Sequence, residues 1–177
     1  YEHKRQQMEA MEVAREVVGE VAAEFNKAFD RDYGLFETYR LAGAEVAIVV
    51  ANSTAGTAKV VVDQLREDGI QAGLLKPRVF RPFPAKEMVE ALGHLKALAV
   101  LDRSSSFGAM DNAGPLFLET VAALAVHGAG VPVAGYVYGL GGRDILPHEI
   151  EEVYRELQQA AETGQAPGRV QHLGVRE

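Results

Sequence analysis

The residues best suited by type to do chemistry fall in four short stretches: Asn52-Ser53-Thr54-Ala55-Gly56, Pro77 to Pro84, Asp102-Arg103-Ser104-Ser105-Ser106-Phe107-Gly108, and Gly139-Leu140-Gly141-Gly142-Arg143-Asp144. The first places hydroxyls ahead of a helix start, where free backbone N–H groups can cradle an anion. It has neither G-x-x-x-x-G-K-[ST] nor G-x-G-x-x-G spacing, so the stronger reading makes Ser53 and Thr54 N-caps, worth about 1 kcal/mol to the helix. In the third stretch, acyl transfer by a serine would need a base held beside it. His94, His127 and His148 belong in or beside different helices, and no G-x-S-x-G elbow exists. An interface role fits better, with Arg103 pairing to a carboxylate or to backbone carbonyls of a neighbour. The fourth stretch has three glycines in four positions, which permit positive φ and close backbone approach. It reads as an anion or cofactor cradle, as a tight turn locked by an Arg143–Asp144 pair, or as a docking point for a second domain. The five histidines show no metal-ligand spacing, so no metal site is expected.

These stretches must be held by a frame, and the composition bounds it. The 177 residues carry 25 acids against 18 Lys plus Arg, a net charge of −7, with 47% hydrophobic residues, no Cys and no Trp. At roughly 100–200 residues per domain this is one main domain that can stand without disulfides. The absence of Cys excludes a disulfide framework, a thiolate-held zinc, an iron–sulfur cluster and a Cys nucleophile within these residues. The acidic balance argues against nucleic acid as a partner. Apolar runs such as Val46 to Ala51 and Ala97 to Leu101 are far shorter than the roughly 20 residues that cross a bilayer. The expectation is a soluble, cytoplasmic protein without a membrane partner. A start at Tyr1, with a charged opening, reads as a cut inside a longer polypeptide.

Apolar residues at Met8, Met11, Ala14, Val18, Val21 or Ala22, Phe25 and Phe29 have helical spacing, with glutamates on the other face. Asp30 to Gly34 ends that helix. Alternation follows: strand Val46 to Ala51 and helix Thr57 to Glu67; strand Ile70 to Val79 and helix Lys86 to Leu92. Next come strand Ala97 to Asp102 and helix Pro115 to Leu124, then strand Val133 to Tyr138 and helix Pro147 to Thr163. Repeated βα units predict a parallel α/β sheet covered on both faces, with the tail Arg169 to Val175 as a candidate edge strand. In such a sheet all four chemistry-bearing stretches leave the carboxyl edge, where ligands bind.

Taken in order, YRLAGAEVAIVVANSTAGTAKVVVDQLREDGIQAGLLKPRVFRPFP, LDRSSSFG and GYVYGLGGRDI resemble the C-terminal region of the α chain of pyruvate:ferredoxin oxidoreductase and its 2-oxoacid:ferredoxin oxidoreductase relatives. The likeness runs from Tyr39 to about Leu157, and departs at Ala51-Asn52, where relatives usually show a Gly-Ser-type start. It implies a domain like the transketolase C-terminal domain over residues 39–177, with a mostly parallel five-stranded sheet flanked by helices. Residues 1–38 would then be a connector helix and turn from an N-terminal domain.

The resemblance also implies a complete enzyme that oxidatively decarboxylates a 2-oxoacid with thiamine diphosphate and Mg. That enzyme passes electrons through iron–sulfur clusters to ferredoxin, hands the acyl group to coenzyme A, and runs in reverse as pyruvate synthase. With no GDG motif and no Cys, this chain is expected to be an assembly domain, silent alone and binding none of these cofactors itself. Its expected partners are other domains and subunits of the oxidoreductase, ferredoxin through the complete enzyme only, and a second copy of the chain. Arg81, Phe83, Asp102, Arg103, Arg143 and Asp144 are the interface candidates. The alternative is an independent binding module in which Asn52, Ser53, Thr54, Arg103, Gly141, Gly142 and Arg143 hold a phosphate-bearing ligand such as coenzyme A.

Overall fold

The computed structural model describes residues 1–175; the last two positions of the expected 39–177 domain lie outside the described residues. The chain divides into two compact units, residues 1–37 with 77–84, and residues 38–76 with the chain from 85 onward.

In the first unit, helix α1 runs from Glu2 to Phe29 and stops at Asp30, whose left-handed conformation (φ 51°) lets its N–H return to the Asn26 carbonyl. The Asn26 side chain then ties down the following turn, donating to the Tyr33 carbonyl at 2.8 Å and accepting its N–H at 2.7 Å. Arg78 lies 4.0 Å above the Tyr33 ring and pairs with Glu37 at 2.7 Å. No residue of α1 is buried. Val13, Val17, Val21, Phe25 and Phe29 form one row at four-residue spacing, all exposed.

The second unit is built on a sheet with strand order β1-β3-β2-β4-β5-β6. The strands are β1 (Phe36–Tyr39), β2 (Val46–Val50), β3 (Ala72–Pro77), β4 (Ala97–Asp102), β5 (Val133–Val137) and β6 (Gln171–His172), and the helices are α2 (Thr54–Glu67), α3 (Ala85–Leu92), α4 (Pro115–Val126) and α5 (Pro147–Thr163). β2 pairs in parallel with β3 from Val46 opposite Ala72, and with β4 from Val46 opposite Ala97. β4 pairs in parallel with β5, and β5 with β6. Every residue of β2 and β4 is buried, which is why both read as unbroken apolar runs rather than as alternation. α5 packs Ile150, Val153, Tyr154 and Leu157 into the core formed with Ile48, Val62 and Leu74. The Tyr154 hydroxyl, fully enclosed, donates to the Gly73 carbonyl at 2.8 Å.

The fold is therefore the expected α/β sheet flanked by helices, preceded in sequence by a long N-terminal helix. Among the described residues the strands number six where the resemblance implied five; β6 is the edge strand that the tail pattern suggested. β1 had no signal of its own, because Phe-Glu-Thr-Tyr is too short to show a period. The order of the strands fixes where a site can form. The chain passes from β2 to β3 on one side of β2, then places β4 on its other side, so β2 and β4 flank a topological switch point whose crevice opens at their carboxyl ends.

Candidate functional site

Three of the four chemistry-bearing stretches meet at that crevice. Ser53 and Thr54 follow β2, Arg103 follows β4, and Tyr138, Arg143 and Asp144 follow β5; with Thr57 they line a cleft of about 130 Å³. Asn52, Gly141 and Gly142 do not line it. Asn52 (φ 61°) makes the turn into α2, and Gly141 (φ 67°) and Gly142 (φ 81°) shape the loop that carries Arg143.

The expected capping by Ser53 and Thr54 is not the geometry found. Ser53 sits at the N-cap position of α2 in helical conformation (φ −66°, ψ −30°), and no side chain bonds the free N–H groups of the first turn. Thr54 is buried, and its Oγ1 accepts the Tyr138 hydroxyl at 2.9 Å. Burial pushes the Tyr138 phenol above its ordinary pKa, and the charge of Asp102 adds to this, while the Thr54 bond and the Arg103 charge pull it back.

Both arginines are placed by glycine backbone. A Cβ at Gly139 (φ 66°) would come within 2.9 Å of Arg103 Nε and 3.1 Å of its Cγ, so this loop closes on the Arg103 stem only because position 139 has no side chain. Gly174 (φ 70°) leaves room for both Glu149 and the Arg143 stem: an added Cβ would come within 2.9 Å of Glu149 Oε1 and 3.2 Å of Arg143 Cδ. The one hydrogen bond of the Arg103 guanidinium among the described residues is a long one, 3.5 Å from Nε to the Gly139 carbonyl. The Arg143–Asp144 lock considered from the sequence does not form.

Asp102 serves structure. Its carboxylate accepts the N–H groups of Leu116 at 3.1 Å and Phe117 at 2.8 Å, capping α4 from the end of β4. Burial raises its pKa above the ordinary carboxylate value, against the pull of the Phe117 and Leu116 N–H groups. Gly114 is required here, since a Cβ would overlap the Asp102 carboxylate. Within the serine loop, Ser105 Oγ donates to the Asn112 carbonyl at 2.8 Å and Ser106 N–H to that of Ala113 at 3.1 Å. Among the described residues no histidine is bonded to these serines. Arg81 and Phe83 belong to the unit of α1, where Arg81 covers the Phe80 ring at 4.2 Å and Phe83 meets the same ring edge-on.

Sequence reading missed Tyr138, which sits at the end of an apolar strand run, and Gly174, which lies in a tail without a motif. The gathered groups have the chemistry of binding rather than of acid–base catalysis. Guanidiniums keep their charge at any working pH and offer a planar set of donors suited to carboxylate or phosphate, and the buried phenol beside them holds its proton. Among the described residues no three His, Cys, Asp or Glu side chains gather to hold a metal ion. No helix is long and apolar enough to cross a membrane.

The family described as pyruvate:ferredoxin oxidoreductase core domain II matches residues 44–150. A pyruvate synthase subunit PorA of Thermotoga maritima is 43% identical over 177 residues, covering 100% of this chain and 44% of the relative. PorA of Methanothermobacter thermautotrophicus is 41% identical over 149 residues, 84% of this chain and 37% of the relative. The chain thus spans less than half the length of these relatives. Among solved structures, a 2-oxoglutarate:ferredoxin oxidoreductase from Magnetococcus marinus, with 2-oxoglutarate, coenzyme A and succinyl-CoA bound, shares the fold. Its TM-score is 0.52 at 19% identity, over 74% of this chain and 21% of that one.

Proposed function

The chain belongs to the pyruvate:ferredoxin oxidoreductase core domain II family, and from that premise we propose that it is an assembly domain of the α subunit of a 2-oxoacid:ferredoxin oxidoreductase, with pyruvate as the substrate. The complete enzyme would oxidise the 2-oxoacid to an acyl-CoA and reduce ferredoxin. The observation that carries this reading is the 43% identity sustained across the whole chain to part of a pyruvate synthase subunit. In this reading residues 1–38 are a connector, and residues 39–177 are a transketolase C-terminal-like domain that packs against other domains and subunits.

The residues present do not fit the cofactors of such an enzyme. Iron–sulfur clusters take thiolates, and the chain has no Cys. Thiamine diphosphate is held through a divalent cation, for which no three acidic or imidazole side chains gather among the described residues. We therefore assign thiamine diphosphate, Mg and the clusters to other parts of the enzyme. The purified chain, given pyruvate, coenzyme A, thiamine diphosphate, Mg and a viologen dye, is expected to reduce no dye. Co-expression with the remaining parts of the enzyme is expected to give pyruvate-dependent reduction. Turnover by the chain alone would overturn the assignment.

A further inference from the structure

The cleft at the switch point holds more positive charge than the fold needs. Arg103 and Arg143 have no ion-pair partner among the described residues, although this chain carries seven more acids than Lys plus Arg. Asp102, next to Arg103 in sequence, is committed to the Leu116 and Phe117 N–H groups and does not neutralise it. Both arginine stems rest on glycines at positive φ.

Two further features face the same space. Thr54 is 6% exposed and Tyr138 is 4% exposed, and the single bond between their hydroxyls leaves one of the two protons without an acceptor among the described residues. The N–H groups of Ser53 and Thr54 find no backbone acceptor, and they stand at the positive end of the fourteen-residue helix α2. Asp144 also lines the cleft, which leaves the two guanidiniums in excess by one charge. The cleft, about 130 Å³, has room for a small tetrahedral anion.

We propose that this cleft binds the phosphoryl group of a small phosphorylated metabolite, gripped by Arg103 and Arg143 and seated on the N-terminus of α2. Planar guanidiniums donate in pairs to phosphate oxygens, the N–H groups at the helix start supply further donors, and the spare hydroxyl proton completes the set. The remainder of the metabolite would extend outward past the Gly139 to Asp144 loop. The site is a property of the switch point and does not depend on the assembly role.

The test uses this chain with inorganic phosphate, pyrophosphate and glycerol 3-phosphate at constant ionic strength, read by backbone amide NMR shifts. Saturable shifts of the Ser53 and Thr54 amides are expected at millimolar phosphate. Arg103→Gln and Arg143→Gln should each weaken the affinity at least tenfold, and Arg155→Gln, which removes an exposed Arg155–Glu151 pair on α5, should leave it unchanged. Circular dichroism melting of each variant separates loss of the site from loss of fold. Absent shifts at these amides, or equal binding in the two glutamine variants, overturns the proposal. Glutarate binding as well as phosphate would assign the cleft to a partner's carboxylate and also overturn it. Dye-reduction results bear only on the assembly reading, so the two can fail separately.

Discussion

At the scale of residues, Asp102 shows how a functional-looking group can be absorbed by the scaffold. A carboxylate at the carboxyl end of a central strand reads as a functional residue, and Asp102 was an interface candidate, yet two N–H groups of α4 occupy its two oxygens. Asp102→Asn keeps the shape but replaces one acceptor with a donor facing an N–H, for a loss of about 1 kcal/mol. Its pH dependence has a definite sign. Because burial raises the pKa in the folded state, the folded chain holds the proton more tightly than the unfolded one. The Asp102 contribution is then full below the unfolded pKa and declines as pH rises through the raised value. Urea denaturation across the acid range should therefore show the gap between wild type and variant narrowing as pH climbs; a widening gap would contradict the assigned shift. Gly114→Ala drives a methyl group into the same carboxylate and is expected to cost about 1–3 kcal/mol or more, as overpacking does. A melting temperature equal to wild type would show that α4 can slide to make room.

At the scale of elements, what was legible in the sequence followed burial. β4 and α5 were bounded at the residues where the structure bounds them, because each is framed by strong signals: an unbroken apolar run ending in Asp102, and Pro147 at the start of an amphipathic stretch. β1 was invisible, since its four residues depend on pairing within the sheet rather than on any local pattern. The site was legible loop by loop, but not as a cluster: local patterns name Ser53, Thr54, Arg103 and Arg143, while only strand order brings them together. Helix α1 was recognised by its stripe, but its exposed row extends through Val13 and Val17 as well as Val21, Phe25 and Phe29. In the proposed role this row docks against other parts of the enzyme. Val17→Glu with Val21→Glu should leave the melting of the isolated chain within about 0.5 kcal/mol of wild type, as exposed substitutions do, while abolishing co-purification with those parts. Retained co-purification would remove α1 from the interface.

At the scale of the whole molecule, stability is concentrated where the strands are enclosed on both faces. Amide hydrogen exchange of the isolated chain should be slowest in β2 and β4 and fast along α1, none of whose residues is buried, with the two-residue β6 between these extremes. Protection of α1 equal to that of β2 would mean that the helix is covered in solution, by self-association or otherwise, and the sedimentation behaviour would reveal which.

The placement of β4 beside β2 has a consequence in time as well as in space. As the chain leaves the ribosome, β2, α2, β3 and α3 emerge before β4, and β2 then has a neighbour on one side only. The crevice, with Ser53 on one wall and Arg103 on the other, opens when β4 pairs at the still free flank of β2, and it is completed when β5 brings Tyr138, Arg143 and Asp144. Any binding capacity at that crevice is therefore acquired late, and a chain arrested before Ala97 would contain Ser53, Thr54 and Thr57 and no other residue of the lining.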